Sequence, residues 1–196
     1  MKYDIIILCE FETILTINKT TGELYMKKTR FKIRMMTYGA LIAALYVALT
    51  YLAAMLGLSS GAIQIRFSEA LTILPFIVPA LYVPGTVAGL FIGCILANTL
   101  TGAIVWDIVF GSIATLLGAL GTWLLRRFPR VGGAIAWLPP TIANTLIVPL
   151  VLQKAYGLDD AWWFLALTVC IGELLSCGVL GTLLIRFAGP RIKNLR

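Results

Sequence analysis

From Met35 onward, apolar runs of roughly 20 residues alternate with short polar breaks. That is the length a helix needs to cross a hydrocarbon core of about 30 Å. The runs predict six helices, at about residues 35–56, 68–82, 84–104, 107–125, 133–153 and 161–187. Pro84 suits the first turn of the third, where a missing N–H is no loss. The second run is short for a span and carries Pro75 and Pro79. It must be tilted, kinked at its prolines, or extended backward through residues 63–67. Residues 1–25, MKYDIIILCEFETILTINKTTGELY, read differently. The apolar IIILC is short and flanked by Asp4, Glu10 and Glu12, so neither a signal peptide nor a span fits. The alternation in ETILTIN, followed by a turn-like Thr-Gly, suits a small hairpin. A competing reading starts the protein at Met26, which opens the basic leader MKKTRFKIRMM. The chain then consists of an extension, 1–25, to which no function attaches, and a membrane domain, 26–196.

Composition agrees with the pattern. The 196 residues are 60% hydrophobic and 13% charged, with mean hydropathy +0.94, whereas soluble domains are nearer half apolar and a quarter charged. The net charge of +7 does not point to nucleic acid, because the basic residues cluster in the breaks between runs. Lys27, Lys28, Arg30, Lys32 and Arg34 fall on one side of the predicted bundle, with Arg126, Arg127, Arg130, Arg186, Arg191, Lys193 and Arg196; Arg66 and Lys154 alone fall on the other. Cytoplasmic loops carry the excess of Lys and Arg, so both termini are expected in the cytoplasm. The chain is thus read as an all-α integral membrane protein of six transmembrane helices.

The absence of His removes a Ser-His-Asp triad, a His acid–base site and a His-ligated metal. Cys9, Cys94, Cys170 and Cys177 show no CxxC spacing. Cys170 and Cys177 sit two turns apart on one predicted helix, about 10 Å along the axis, too far for a disulfide. They read as small apolar fillers. No metal, no cofactor and no enzymatic activity are expected.

Helices in lipid approach closely through small residues at four-residue spacing. The third helix has Gly85, Gly89, Gly93 and Ala97, and the fourth Ala114, Gly118 and Thr122; both read as seams within the bundle. On the first helix Ala40, Ala44 and Ala48 are in register, with Gly39 and Ala43 alongside. That stripe serves either the protein's own helices or another subunit. Intramembrane polar residues are a sharper signal, since burying them is costly without partners. Glu173 lies deep in the sixth helix, Asn144 at similar depth in the fifth, and Asn98 near the outer end of the third. Trp106-Asp107 opens the fourth helix and Trp162-Trp163 the sixth, on the outer side, where interfacial anchoring is the competing role for each Trp. Carboxylates, carboxamides and aromatics thus converge on the outer half, enough to clasp a polar, planar ligand.

The segments IQIRFSEALTILP, FGSIATLLGALGTWLL and LPPTIANTLIVPLVL resemble the QueT family, the substrate-binding (S) components of energy-coupling factor (ECF) transporters. The resemblance covers roughly residues 35–186. It implies a six-helix S component in the bacterial cytoplasmic membrane, partnered by a membrane T subunit and two cytoplasmic ATPases. The implied substrates are queuosine precursors, 7-deazaguanine bases. The family's Ala-xxx-Ala pattern that docks on the T subunit matches Ala40, Ala44 and Ala48. Its ligand position near the outer surface matches Trp106, Asp107, Trp162 and Glu173, with Asn144 added.

The chemistry of a deazaguanine is compatible. Its N–H and exocyclic NH₂ suit one carboxylate, bidentate; Asn complements the carbonyl and Trp stacks on the ring. An aminomethyl cation would want a second carboxylate. These considerations put Glu173 on the base edge and Asp107 or Glu69 on the cation, with Asn144 and Asn98 completing the hydrogen bonds. Arg66 and Glu69 are expected to form a lid-fixing pair at the rim. Two rival readings remain: an S component for another vitamin-like molecule, and a stand-alone secondary transporter using Glu173 for proton coupling.

Overall fold

The computed structural model describes residues 2–58 and 64–193, with side chains from Met26 on apart from those of Lys27, Pro129, Arg130 and Lys193. The Cys9 side chain and residue 63 of the predicted second helix's extension therefore lie outside the described residues. The chain divides into two compact units, Met1–Thr37 and Tyr38–Arg196.

The first unit is helical. Helix α1, Lys2–Met55, begins there and continues into the second unit. This replaces the hairpin expected over ETILTIN. Residues 1–25 contain no Pro and one Gly, Gly22, so nothing in them stops a helix once it has formed, and each added residue gains a backbone hydrogen bond.

The second unit adds helices α2 (Leu74–Ile77), α3 (Val83–Leu100), α4 (Val105–Leu124), α5 (Pro129–Ile135), α6 (Leu138–Lys154), α7 (Trp162–Glu173) and α8 (Gly181–Lys193). A π-helical stretch, Leu174–Leu180, joins α7 to α8. Among the described residues, five segments are long and apolar enough to cross a membrane: Lys28–Met55, Ala80–Leu100, Val105–Arg127, Val131–Lys154 and Trp162–Ile192. The protein is a multi-pass membrane protein. The expected second helix is the exception. It is a 3₁₀ turn, Phe67–Ile73, then the single turn α2, then a second 3₁₀ turn, Ala80–Tyr82.

The prolines explain the break. Pro79 has no N–H to offer the carbonyl of Pro75, and the N–H of Tyr82 goes to Pro79 rather than to Val78. Backbone carbonyls freed at membrane depth need another donor. Arg126 supplies it, its Nη1 donating to the carbonyls of Pro75 (3.0 Å) and Val78 (2.7 Å). The broken segment is buried from Ser68 to Val78 apart from Phe76, and exposed at Ala80 and Leu81.

The small-residue stripes on α3 and α4 are internal seams, as expected. Gly85, Gly89, Gly93 and Ala97 are all buried, and α3 lies so close to α1 that a Cβ on Gly89 would collide with the carbonyl oxygen of Gly39. A Cβ on Gly93 would come within 2.9 Å of the Tyr46 Cβ. On α4, Gly118 faces Pro140 of α6, whose Cα stands 2.7 Å from a Cβ placed there. Gly89→Ala is therefore expected to force the α1–α3 backbones apart and to destabilise the fold by about 1–3 kcal/mol. The check is thermal melting in detergent, with the exposed Ala88→Ser as the control.

The α1–α3 seam uses only part of the α1 stripe. Gly39 and Ala43 are buried in it, while Ala40, Ala44 and Ala48, one step around the helix, are exposed.

Candidate functional site

Glu69 is the residue around which the site is built. It stands in the 3₁₀ turn Phe67–Ile73 and is 1% exposed. The strand-like approach to it is pressed against α7: a Cβ on Gly172 would overlap the carbonyl oxygen of Gln64, so only glycine allows this segment so far into the bundle. One carboxylate oxygen of Glu69, Oε1, accepts hydrogen bonds from the Tyr46 hydroxyl of α1 and, at 3.0 Å, from Thr115 Oγ1 of α4. The other, Oε2, accepts from Asn144 Nδ2 of α6 at 3.4 Å. Three separate helices thus converge on one carboxylate.

A second carboxylate joins them. Glu173 ends α7, is buried, and accepts a hydrogen bond from Cys177 Sγ at 3.3 Å. The π-helical stretch that begins after Glu173 changes the helix pitch there, a feature frequent at functional sites. Cys177 Sγ also lies 3.3 Å from the backbone oxygen of Glu69. The ligating atoms of Glu69, Glu173 and Cys177 all lie within 4.8 Å of one another. Such a set could hold a single cation. Among the described residues neither carboxylate carries an ion pair with Lys or Arg.

About one turn away, toward the α3–α4 connection, is a polar cavity of about 570 Å³ whose lining includes Thr50, Gln64, Arg66, Asn98, Asp107 and Tyr156. Arg66 Nη2 is 3.7 Å from Asp107 Oδ2, and the Tyr156 hydroxyl donates to the same oxygen at 3.3 Å. Burial, the largest single influence, would ease loss of the Arg66 proton, but Asp107 and the smaller contributions of its other neighbours together outweigh it and raise the guanidinium's pKa, so Arg66 is a permanent cation. Tyr156 is raised too, by burial and then by Asp107, and stays a neutral donor. Thr50 connects the two levels: its hydroxyl lies 2.7 Å from Ser68 Oγ and 2.9 Å from the carbonyl of Tyr46.

A family model, described as QueT transporter, matches residues 36–189, most of the chain. The chain belongs to the QueT transporter family. Its membership means membrane transport of a small molecule, and it gives a multi-helix protein with a buried polar centre a reason to maintain one. No curated protein and no solved structure matches the chain.

With the QueT transporter fold in view, the residues expected from sequence separate into three groups. Glu69, Asn144 and Glu173 meet in the buried cluster. Asp107, Asn98 and Arg66 line the cavity, Asn98 Nδ2 standing 3.5 Å from the Asp107 carbonyl. Trp106 and Trp162 join neither. Trp106 is 59% exposed and stacked on Phe110 at 5.8 Å, beside an apolar groove on the bundle's outside; Trp162 opens α7 at 37% exposed. Both have the exposure of interfacial anchors.

The lid pair is corrected. Arg66 is ion-paired with Asp107, and Glu69 sits in the interior rather than at a rim. The three-residue spacing of Arg66 and Glu69 falls on the entry to a 3₁₀ turn, whose tight winding carries Glu69 inward while Arg66 remains extended. Tyr46 and Thr115 were not singled out from sequence, and Cys177, expected to be an apolar filler, instead hydrogen-bonds Glu173 and the Glu69 carbonyl. For Tyr46 and Thr115 the available signal was their position in the middle of apolar runs, where a hydroxyl requires a partner.

Proposed function

We propose that the protein is the substrate-binding S component of an ECF importer that takes up a queuosine precursor, a 7-deazaguanine base, with a T subunit and two cytoplasmic ATPases. The observation that carries this reading is the polar cavity of about 570 Å³ above a buried carboxylate–carboxamide cluster. That volume is in the range of small-molecule sites. In this reading the base lies in the cavity. Asp107 accepts the N–H and NH₂ of its guanine-like edge, and Arg66 and Asn98 donate to its carbonyl. This assignment differs from placing Glu173 on the base edge. Glu69 and Glu173 approach one another too closely to grip opposite sides of a ring.

The membrane orientation follows from the Lys and Arg distribution. The Arg66 end faces outward, toward the source of substrate, and the Arg126 end faces the cytoplasm. In a background without native cysteines, a membrane-impermeant maleimide should label Asp159→Cys in intact cells and miss Arg127→Cys until the membrane is opened. Labelling of Arg127→Cys in intact cells would overturn the orientation.

Calorimetric titration of 7-deazaguanines into the detergent-purified chain tests the substrate class. Uptake in cells tests the partnership: it should vanish when the ATPase partners are absent and persist when the proton gradient is dissipated. The opposite pattern would favour a stand-alone, proton-coupled transporter, for which Glu69 and Glu173 are the paired buried carboxylates available.

A further inference from the structure

The outside of the bundle carries a recess that the transport reading does not use. Between α4 and α6 lies an apolar groove of about 610 Å³. Its lining includes Trp106, Phe110 and Ile113 of α4, and Ile147, Leu150 and Lys154 of α6. Lys154 is the only charged side chain among the described residues that line it. A second apolar groove, of about 440 Å³, shares Ile147 and continues toward Leu125 and Ile135.

Side-chain size says what can cover this face. Helices in lipid approach one another through small residues, and α4 uses its own against α6. A Cβ on Gly118 would stand 2.7 Å from the Pro140 Cα, and one on Gly121 2.6 Å from the Pro139 Cβ. The groove is left with large side chains. These would hold a further helix at a distance, whereas a flexible chain can fill the furrow between them. Charge says what heads that chain. The Lys154 ammonium, in the last turn of α6, and the Trp106 indole N–H, in the first turn of α4, are donors only. Among the described residues neither has an ion pair or a hydrogen bond within the protein. Nearby acidic groups line other recesses: Asp107 the polar cavity, with Arg66 and Tyr156, and Asp160 a separate pocket against α7. An apolar furrow headed by unpaired donors matches an acyl chain beneath a phosphate.

The dimensions agree. Trp106 and Ile113 are seven residues apart on α4 (113 − 106), as are Ile147 and Lys154 on α6 (154 − 147), which is about 10 Å along each helix. That fits within one leaflet's half of a hydrocarbon core of about 30 Å. Trp106 and Lys154 then stand at headgroup level, where an indole anchors and a lysine extends its ammonium out of the apolar region.

We propose that the α4–α6 groove binds one anionic glycerophospholipid, its acyl chain along Ile113, Ile147 and Leu150 and its phosphate at Lys154. The site is independent of what the protein transports.

Fluorescence quenching decides it, with the full chain reconstituted in mixed vesicles of phosphatidylcholine and phosphatidylglycerol. One lipid or the other carries brominated chains, which quench a neighbouring indole, and the Trp106 signal is the difference from Trp106→Phe. At equal mole fraction, phosphatidylglycerol is expected to occupy the site about fivefold more tightly than phosphatidylcholine, the worth of one lysine at an anionic headgroup. Lys154→Gln should erase that preference. Arg127→Gln, the same change of charge at the opposite end of the bundle, should leave it intact. Leu150→Phe, which narrows the furrow, should reduce quenching by both lipids; melting curves report whether it is folded, and Ile113→Phe replaces it if not. A wild-type preference below about twofold, or one that survives Lys154→Gln, would overturn the anionic headgroup. Quenching unchanged in a folded furrow variant would take the chain out of the groove. No quenching of Trp106 by either lipid would give this face to a protein partner and overturn the proposal.

Discussion

Ala44→Trp should reduce uptake to background while ligand binding by the purified protein stays unchanged. Ala44 is exposed, as are Ala40 and Ala48, and the face they form is separate from the buried Gly39–Ala43 face that packs on α3. Small residues let another helix backbone approach closely, so this face fits the T subunit of the proposed importer. An indole there would hold the partner helix away without touching Tyr46, which lies on the buried side. The measurement is paired: uptake and co-purification with the T subunit in cells expressing the whole importer, and calorimetry on the isolated chain. If the complex and uptake both survive, the stripe faces lipid. If binding by the isolated chain is lost as well, the substitution has disturbed the bundle and a smaller step, Ala44→Leu, takes its place.

Glu69→Ala should be the most damaging change at a single buried position. The carboxylate accepts hydrogen bonds from Tyr46, Thr115 and Asn144, and all three donors are nearly inaccessible to water. Leaving a buried donor unsatisfied costs about 1–3 kcal/mol. Some donors would find new partners; Thr115, for instance, is also 3.4 Å from Cys94 Sγ. A total of about 3–5 kcal/mol is expected, with ligand binding lost. Glu69→Gln keeps an acceptor oxygen and the side-chain shape, so its melting temperature should fall much less. Thermal melts of both variants in detergent check this. Equal melting temperatures for Glu69→Ala and wild type would mean that the network adds no stability.

Four of the five spanning segments lie close to the apolar runs they were predicted from, because length and hydropathy suffice once lipid is the solvent. The α3 and α4 seams were legible for a similar reason: four-residue spacing of Gly, Ala and Thr puts them on one helix face wherever that helix lies. The second run was misjudged in kind. Its prolines signalled a break, but nothing local indicated that Arg126, some 50 residues away, would satisfy the freed carbonyls and so let a non-helical segment sit at membrane depth.

The candidate site divides along the same line. Glu173, Asn144, Asn98 and Asp107 could be picked out because a polar residue within or at the end of an apolar run needs a partner. Most of their partners could not, since these come from other elements: Glu69 for Asn144, and Arg66 and Tyr156 for Asp107; Cys177, four residues on, is local to Glu173. Glu69 was assigned to the rim with Arg66 on the strength of sequence neighbourhood. The 3₁₀ turn, allowed inward by the bare Cα of Gly172, moved it to the interior and left Arg66 to Asp107.

The sequence by itself determined that the protein is a helical membrane protein, where five of its long apolar segments lie, and that the α3 and α4 small-residue stripes pack, because each depends on the period and polarity of one segment alone. Only the tertiary structure decided which Ala stripe of α1 is buried, that two carboxylates share a centre, and that Arg66 belongs to Asp107. Each of those depends on which faces of separate helices meet, and that is set by where backbones can approach closely and where buried polar groups find donors.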